Sequence, residues 1–156
     1  MARAYARGPR GERVLGSVPK NWGDSVTVAA CLTDEGIVAP FFRHGSMNGE
    51  WMEAYVEQVL VAELREGDVF VMDNLSAHKG ARVRALIEAR GAELVFLPPY
   101  SPDLNPIELA WSKMKAILRK LKARTYEALL EAVEFALRAI TDRDAKSFLR
   151  ACGYPA

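Results

Sequence analysis

The chain has 156 residues, of which half are apolar and about a quarter are charged, a composition typical of one globular domain and not of a disordered chain. No apolar run approaches the roughly 20 residues that a membrane-spanning helix needs, and the N-terminal residues contain no apolar signal-peptide core. Cys31 and Cys152 lie far apart and neither belongs to a CxxC pair. We therefore expect reduced thiols, no zinc site, no membrane partner and a location inside the cell.

The net charge is only +1, but the basic residues are concentrated in two segments. Residues 1–20 contain five basic side chains and one acid, and residues 113–124 contain six basic side chains and no acid. Such segments can bind the phosphate backbone of a nucleic acid. Solvated helix faces are the alternative interpretation of each segment, and the presence of two favours nucleic acid slightly.

The first half of the chain alternates strands and helices. Strands are predicted over 25–32 and 37–43, joined by a turn that contains Gly36, and they form a hairpin. A helix follows, with Ser46 or Asn48 as its cap and apolar residues at helical spacing up to about residue 64. The segment 68–72, which carries the short, wholly apolar run 69–72, predicts a central strand covered on both faces.

The second half continues with one helix, one strand and then helices only. The amphipathic segment 79–91 predicts a helix that ends at Gly91, and 92–97 predicts a strand that ends at Pro98. Beyond the loop, three helices are predicted over 107–122, 125–140 and 142–151. Pro106 suits the start of the first of these and Asn105 is its expected cap, while Thr125 is the expected cap of the second.

This order of elements predicts an α/β fold in which a mixed sheet is flanked by helices. In such sheets functional groups collect at the strand ends and the adjoining loops. Asp73 directly follows the apolar strand 68–72 and therefore lies at such an end. It has two interpretations: a turn cap, or a carboxylate that needs a metal ion or another partner.

Glu108 is the second candidate acid, in the first turn of the helix that follows the proline-rich loop. A favourable contact with the helix dipole, worth under about 1 kcal/mol, is sufficient to explain it. The interval of 34 residues between Asp73 and Glu108 becomes informative only when both acids are considered together.

The chain resembles the catalytic domain of DDE transposases of the IS630/Tc1/mariner superfamily, and it is most similar to the bacterial IS630 family. The resemblance rests on "VMDNLSAHK" (71–79), "FLPPYSPDLNPIELAWSKMK" (96–115), the interval between the two acids, and the upstream "NWG" and "MNGEWMEAYVEQVL". It extends from about Ala4 to Tyr154.

The resemblance implies a ribonuclease H-like fold and metal-dependent cleavage and joining of DNA during transposition. Asp73 matches the second acid of the family's triad and Glu108 the third, so both are the expected catalytic residues and metal ligands. Two Mg²⁺ or Mn²⁺ ions are implied in the complete site, and oxygen ligands suit both metals. Asn74 and His78 belong to the same motif and are the expected supporting residues, with a local helix-entry role as the alternative for His78.

The implied partner is DNA, as transposon ends and as target, in the cytoplasm of a bacterium and at its nucleoid. Five basic residues are candidates for contact with the DNA backbone, with a solvated surface as the alternative: Lys79, Lys113, Lys115, Arg119 and Lys120. The resemblance also allows a homodimer.

The family pattern requires a first Asp on a central opening strand and a helix-turn-helix region before it, and residues 1–16 contain no Asp. Asp24 and Asp34 fall in turns, away from the required place. We therefore expect residues 1–156 to form a single, partial catalytic domain without its central strand, inactive until an upstream segment supplies the first Asp. The alternative is an inactive, truncated remnant of a mobile element that at most binds DNA.

Overall fold

The computed structural model describes residues 26–75 and 79–156, and all structural statements below concern those residues. The basic segment 1–20, Asp24 and His78 lie outside them. Within the described ranges, no helix is long and apolar enough to cross a membrane.

The described part of the chain begins with an antiparallel hairpin of β1 (Val26–Thr33) and β2 (Gly36–His44). The pairing register shifts after Ala29, so that two residues of β2 lie opposite one residue of β1, which is a β-bulge. Ala39 lies in this bulge with a φ of 51°. Asp34 is exposed in the turn between the strands, as the sequence predicts.

Helix α1 (Gly49–Gln58) follows, and Asn48 caps it by accepting a hydrogen bond from the Trp51 amide. A short 3₁₀ turn, Leu60–Ala62, leads from this helix towards the next strand. The prediction of Asn48 as a cap is therefore correct, but the regular helix is shorter than its apolar pattern indicates.

The βαβ unit consists of β3 (Val69–Met72), α2 (Ala81–Glu88) and β4 (Glu93–Phe96), with the two strands parallel and in register from Val69–Glu93 to Met72–Phe96. The prediction that β3 is covered on both faces is wrong in part, because the Val69 side chain is 59% exposed. Among the described residues, β4 is also the only strand that pairs with β3.

Three helices complete the fold: α3 (Ile107–Leu121), α4 (Tyr126–Arg138) and α5 (Asp142–Ala151). Thr125 caps α4 through the Ala128 amide, as predicted. The prediction that Asn105 caps α3 is wrong: Pro106 occupies the cap position, and Asn105 contributes its backbone carbonyl, which accepts from the Glu108 amide.

The apolar residues form two cores. The first, here the sheet-side core, joins α1, α2, β3 and β4 to the bulge of β2, and its least exposed members are Leu60, Ile87, Val56 and Val83. The second, the helix-side core, lies between α3 and α4 and contacts the hairpin; it contains Met114, Leu118, Ala132, Val133, Ala136 and Leu137.

The strands form two separate two-stranded sheets in the described part of the chain, where one mixed sheet was expected. The hairpin is antiparallel and the β3–β4 pair is parallel. The mixture of strand directions is therefore as predicted, but no described strand connects β1 to β3.

Candidate active site

Asp73 lies at the carboxyl end of β3. The Met72 carbonyl accepts a hydrogen bond from the Leu97 amide (2.8 Å), so β3 and β4 are still paired at the residue that precedes Asp73. The Asp73 side chain is half-buried, and its Oδ1 atom is shielded from solvent. The paired strands therefore hold this carboxylate at the edge of the folded body, where it is partly removed from water.

Glu108 lies in the first turn of α3, and its side chain is exposed. The preceding loop is constrained by prolines and by a 3₁₀ turn at Pro102–Leu104. Tyr100 in that loop has a φ of 58°, a left-handed conformation that is uncommon for a tyrosine, and its side chain is fully exposed. The helix start then places Glu108 where the positive end of the helix dipole favours a carboxylate.

Both acids border one cavity of about 700 Å³, here called the central cavity. Strands β1 and β3 line two of its sides, and residues from the start of α3 line it close to Glu108. The structure thus places two carboxylates that are separated by 34 residues in the sequence on the lining of one cavity, which Asp34, Glu35, Glu63 and Asp68 also line. Their common position at one cavity is the geometric basis for a shared site.

The side chains at and beside Asp73 offer oxygen atoms that can act as metal ligands. Asn74 is adjacent to Asp73, and its Oδ1 atom is buried without a hydrogen-bond partner among residues 26–75 and 79–156. Carboxylate and amide oxygens suit a hard divalent cation such as Mg²⁺ or Mn²⁺. No group of three or more His, Cys, Asp or Glu side chains in the described ranges is placed to hold a metal ion. Of the acids that line the cavity, no three in the described ranges are therefore grouped closely enough to form one metal site.

The basic candidates on α3 separate into two groups. Lys115 and Arg119 are exposed and lie seven and eleven positions after Glu108, so the helical period places them on its face of the helix. Lys120 is exposed on a neighbouring face, and Lys79, on the loop before α2, is exposed as well.

Lys113 is different, because its ammonium group donates to the Asp144 carboxylate of α5. Asp144 also accepts hydrogen bonds from the Thr141 amide and hydroxyl, and these contacts, the Lys113 contact first, lower the pKa of Asp144 to about 2. Lys113 thus connects α3 to α5, and we leave it out of the candidate DNA surface.

Tyr55 is a buried residue at the central cavity whose hydrogen bonds the sequence does not reveal. Its hydroxyl donates to the Ala39 carbonyl in the bulge (3.0 Å) and lies 3.4 Å from the Cys31 sulfur, and both Tyr55 and Cys31 line the central cavity. Burial raises the pKa of the Cys31 thiol to about 11 and also raises that of the Tyr55 hydroxyl. In the sequence, Tyr55 is indistinguishable from an ordinary apolar position of α1.

Known sequences similar to this chain are transposases. The Tc1 transposase of Caenorhabditis elegans is 30% identical over 126 residues, which cover 78% of this chain and 46% of that protein. The Tcb1 transposase of Caenorhabditis briggsae is 29% identical, over 87% of this chain and 55% of its own length. The chain thus spans about half the length of these relatives.

Solved structures of the Mos1 mariner transposase have the same fold. The paired-end complex with Mn superimposes with a TM-score of 0.74 at 17% identity, covering 97% of this chain and 48% of that one. The isolated Mos1 catalytic domain gives a TM-score of 0.60 and covers 81% of this chain and 76% of that one. The chain therefore has the ribonuclease H-like α/β fold of that domain.

The family described as "DDE superfamily endonuclease" matches residues 1–130, most of the chain. The matched residues include the βαβ unit, the proline-rich loop and α3, the elements that place Asp73 and Glu108 at the central cavity. The chain belongs to the DDE superfamily of endonucleases and is homologous to the Tc1/mariner transposases.

Proposed function

We propose that this chain is part of an IS630-like transposase whose catalytic site cleaves and joins DNA strands with Mg²⁺ or Mn²⁺. The observation that supports the proposal most is the position of Asp73 and Glu108 at one cavity, each at the end of a regular element that fixes its backbone. Transposition is the function of the named relatives, and the Mos1 complexes contain transposon ends.

Asp73 and Glu108 would hold the metal, with Asn74 beside them as an oxygen donor or an orienting group. Divalent ions bound there would stabilise charge on the phosphate oxygens during in-line displacement. The partial burial of Asp73 favours ligation, because a carboxylate that is partly removed from water gains more from a bound cation than a fully hydrated one does. Glu108 is exposed and close to the positive helix end, where the helix dipole favours a carboxylate.

DNA would pass the α3 face that contains Glu108, Lys115 and Arg119. Their common helix face places two cations beside one acid, so the phosphate backbone would be neutralised close to the point of cleavage. Lys79 and Lys120 would extend this basic surface on either side, in the nucleoid of a bacterial cell.

No three acids among the described residues are grouped to hold a metal ion, so the proposed site needs a third acid, beside Asp73 and Glu108, from another segment. We propose that an upstream polypeptide supplies it, together with a helix-turn-helix region that recognises transposon ends, and that the chain is inactive without this segment. The competing candidate, a truncated remnant that only binds DNA, agrees equally well with the two acids. The two candidates differ in whether cleavage can be restored.

A nicking assay separates them. The DNA upstream of the Met1 codon is translated in all three frames, and the encoded segment is coexpressed with the full chain. Supercoiled DNA that contains the element's ends is then incubated with Mg²⁺, with Mn²⁺ or with EDTA. We expect metal-dependent nicking that falls at least about 100-fold in Asp73→Asn and Glu108→Gln, because each change removes a metal ligand.

Asp103→Asn is the matched control, because Asp103 is an exposed acid of the same loop and does not line the central cavity. It should nick like the wild type. Unchanged nicking by Asp73→Asn or Glu108→Gln would reject the assignment of the ligands. If no variant nicks DNA with either metal while DNA binding is intact, the result would support the truncated remnant.

A further inference from the structure

The loop that precedes α3 is held by a side chain from beyond α5. The Tyr154 hydroxyl donates to the Leu104 carbonyl (2.9 Å), although 50 positions separate the two residues in the sequence. In the described ranges, no backbone amide donates to this carbonyl. Leu104 ends the 3₁₀ turn and lies four residues before Glu108, so the hydrogen bond fixes the backbone where the loop passes into the helix.

The turn after α5 brings Tyr154 to this loop. Gly153 has a φ of 87°, and the amides of Gly153 and Tyr154 donate to the carbonyls of Arg150 and Leu149. These are the two hydrogen bonds of a Schellman motif, which ends a helix and reverses the chain. A Cβ at Gly153 would meet no atom within 4 Å, so the left-handed backbone, and not lack of space, favours glycine here.

The opposite end of α5 is attached to α3 itself. Asp144 lies in the first turn of α5 and accepts from Lys113, which follows Glu108 by five residues. Helix α5 therefore contacts the chain on both sides of Glu108, at Leu104 before it and at Lys113 after it. We call α5 with these two contacts the α5 brace. A helix that is attached at two points restrains the segment between them.

We infer that Tyr154 is a positioning residue for Glu108: through the α5 brace it holds the start of α3 where the Glu108 carboxylate can share a metal ion with Asp73. Leu149 and Tyr154 line the central cavity, which Glu108 also borders. Burial raises the pKa of the Tyr154 hydroxyl, so it remains a hydrogen-bond donor at neutral pH. The expected effect on DNA cleavage rests on the proposed function.

The α5 brace is not part of the family match, which ends at residue 130. Asp144 and Tyr154 both lie beyond that residue. The inference therefore depends on the contacts in this structure, and it adds a residue that supports Glu108 without touching the metal or the DNA.

The first measurement needs neither metal nor DNA. Tyr154→Phe removes the hydroxyl and keeps the ring, and hydrogen exchange is followed in the full chain. The amides of Asn105 and Glu108 report on the loop, because they donate to the carbonyls of Pro102 and Asn105 (3.1 Å each). We expect both amides to exchange about fivefold faster, since one hydrogen bond fewer opposes local opening, and the amides of α4 to be unchanged.

Three further variants sharpen this measurement. Lys113→Met releases the other end of the α5 brace and should also speed exchange at Glu108. Gly153→Ala strains the turn without a steric clash and should act in the same direction. Tyr126→Phe is the matched control, because the Tyr126 ring stacks on His44 and does not line the central cavity. It should exchange like the wild type.

The second measurement is the nicking assay with the coexpressed upstream segment. Tyr154→Phe should lower kcat about fivefold and leave the KM for DNA within about twofold, because a misplaced Glu108 impairs the metal site and not DNA binding. Mn²⁺ binding should weaken about fivefold as well. A merely structural role would lower the midpoint of urea unfolding and leave kcat of the folded protein unchanged.

Three results would overturn the inference. Exchange at Asn105 and Glu108 that is as slow in Tyr154→Phe as in the wild type would mean that the hydroxyl does not hold the loop. An unchanged kcat in spite of faster exchange would mean that the loop does not position Glu108, and a higher KM at unchanged kcat would mean that Tyr154 contacts DNA instead. If the wild-type complex nicks no DNA, the proposed function fails, whereas the exchange rates still test the α5 brace.

Discussion

The two cores of this molecule border different cavities, and each positions one of the two acids. Met52, Val56 and Met72 of the sheet-side core line the central cavity. Ile87, Val56 and Val83 of the sheet-side core are fully buried. The helix-side core lies beside a second cavity, of about 380 Å³, which is bordered by Met114, Leu118, Leu129 and Val133 among others. Asp73 follows a strand of the first core, and Glu108 begins a helix of the second.

The difference indicates that the two carboxylates do not have the same structural support. Pairing with β4 fixes the backbone of β3 up to Met72, next to Asp73, whereas the position of Glu108 depends on how α3 is held against α4, α5 and the hairpin. A site shared by the two carboxylates requires the two cores to keep a fixed position relative to each other. Changes in the helix-side core should therefore disturb the site before they unfold the domain.

The largest effect is expected from truncation in the sheet-side core. Ile87→Ala should lower the free energy of unfolding by about 2–5 kcal/mol, because it leaves a void that rigid neighbours cannot fill. Met114→Ala should cost less, towards about 2 kcal/mol, because Met114 already borders a cavity. Urea denaturation of both variants measures the difference. Equal losses of unfolding free energy in the two variants would contradict the proposed contrast between Ile87, which borders neither cavity, and Met114, which borders one.

A smaller effect is expected at the contact between α3 and α5. Asp144→Ala removes both the Lys113 ion pair and half of the capping box with Thr141, and should cost about 1–2 kcal/mol. Lys113→Met leaves the cap intact and should cost at most about 1 kcal/mol, since the ion pair is partly exposed. The two variants together thus separate the stability contributed by the cap from the stability contributed by the ion pair between α3 and α5.

The same contact predicts a pH dependence. The pKa of Asp144 is lowered in the folded chain from 3.8 to about 2, so its ionised form stabilises the fold above pH 4. That contribution is lost as the pH falls from about 4 to 2, where the carboxylate is protonated. The midpoint temperature of unfolding should therefore fall more steeply with decreasing pH for the wild type than for Asp144→Ala. Parallel pH dependences of the two midpoints would contradict the stabilising role of the ionised Asp144 carboxylate.

Local patterns predicted much of the fold and the position of each candidate acid at the end of a regular element. The apolar run before Asp73 predicted β3, and the side chains of Asn48 and Thr125 predicted two helix starts, because these signals depend on a few neighbouring residues. The cap of α3 was missed because the Asn105 backbone, and not its side chain, makes the bond. The exposure of Val69 and the Lys113–Asp144 pair depend on which elements meet in space. A single sequence contains no local signal for such contacts.

The most direct test of the central claim is a titration of the full chain, coexpressed with its upstream segment, with Mn²⁺, in which electron paramagnetic resonance counts the free ion. If Asp73 and Glu108 share one metal site, Asp73→Asn and Glu108→Gln should each lose the same bound Mn²⁺ and remain folded, while Asp103→Asn binds like the wild type. Undiminished Mn²⁺ binding in either ligand variant would contradict the shared site.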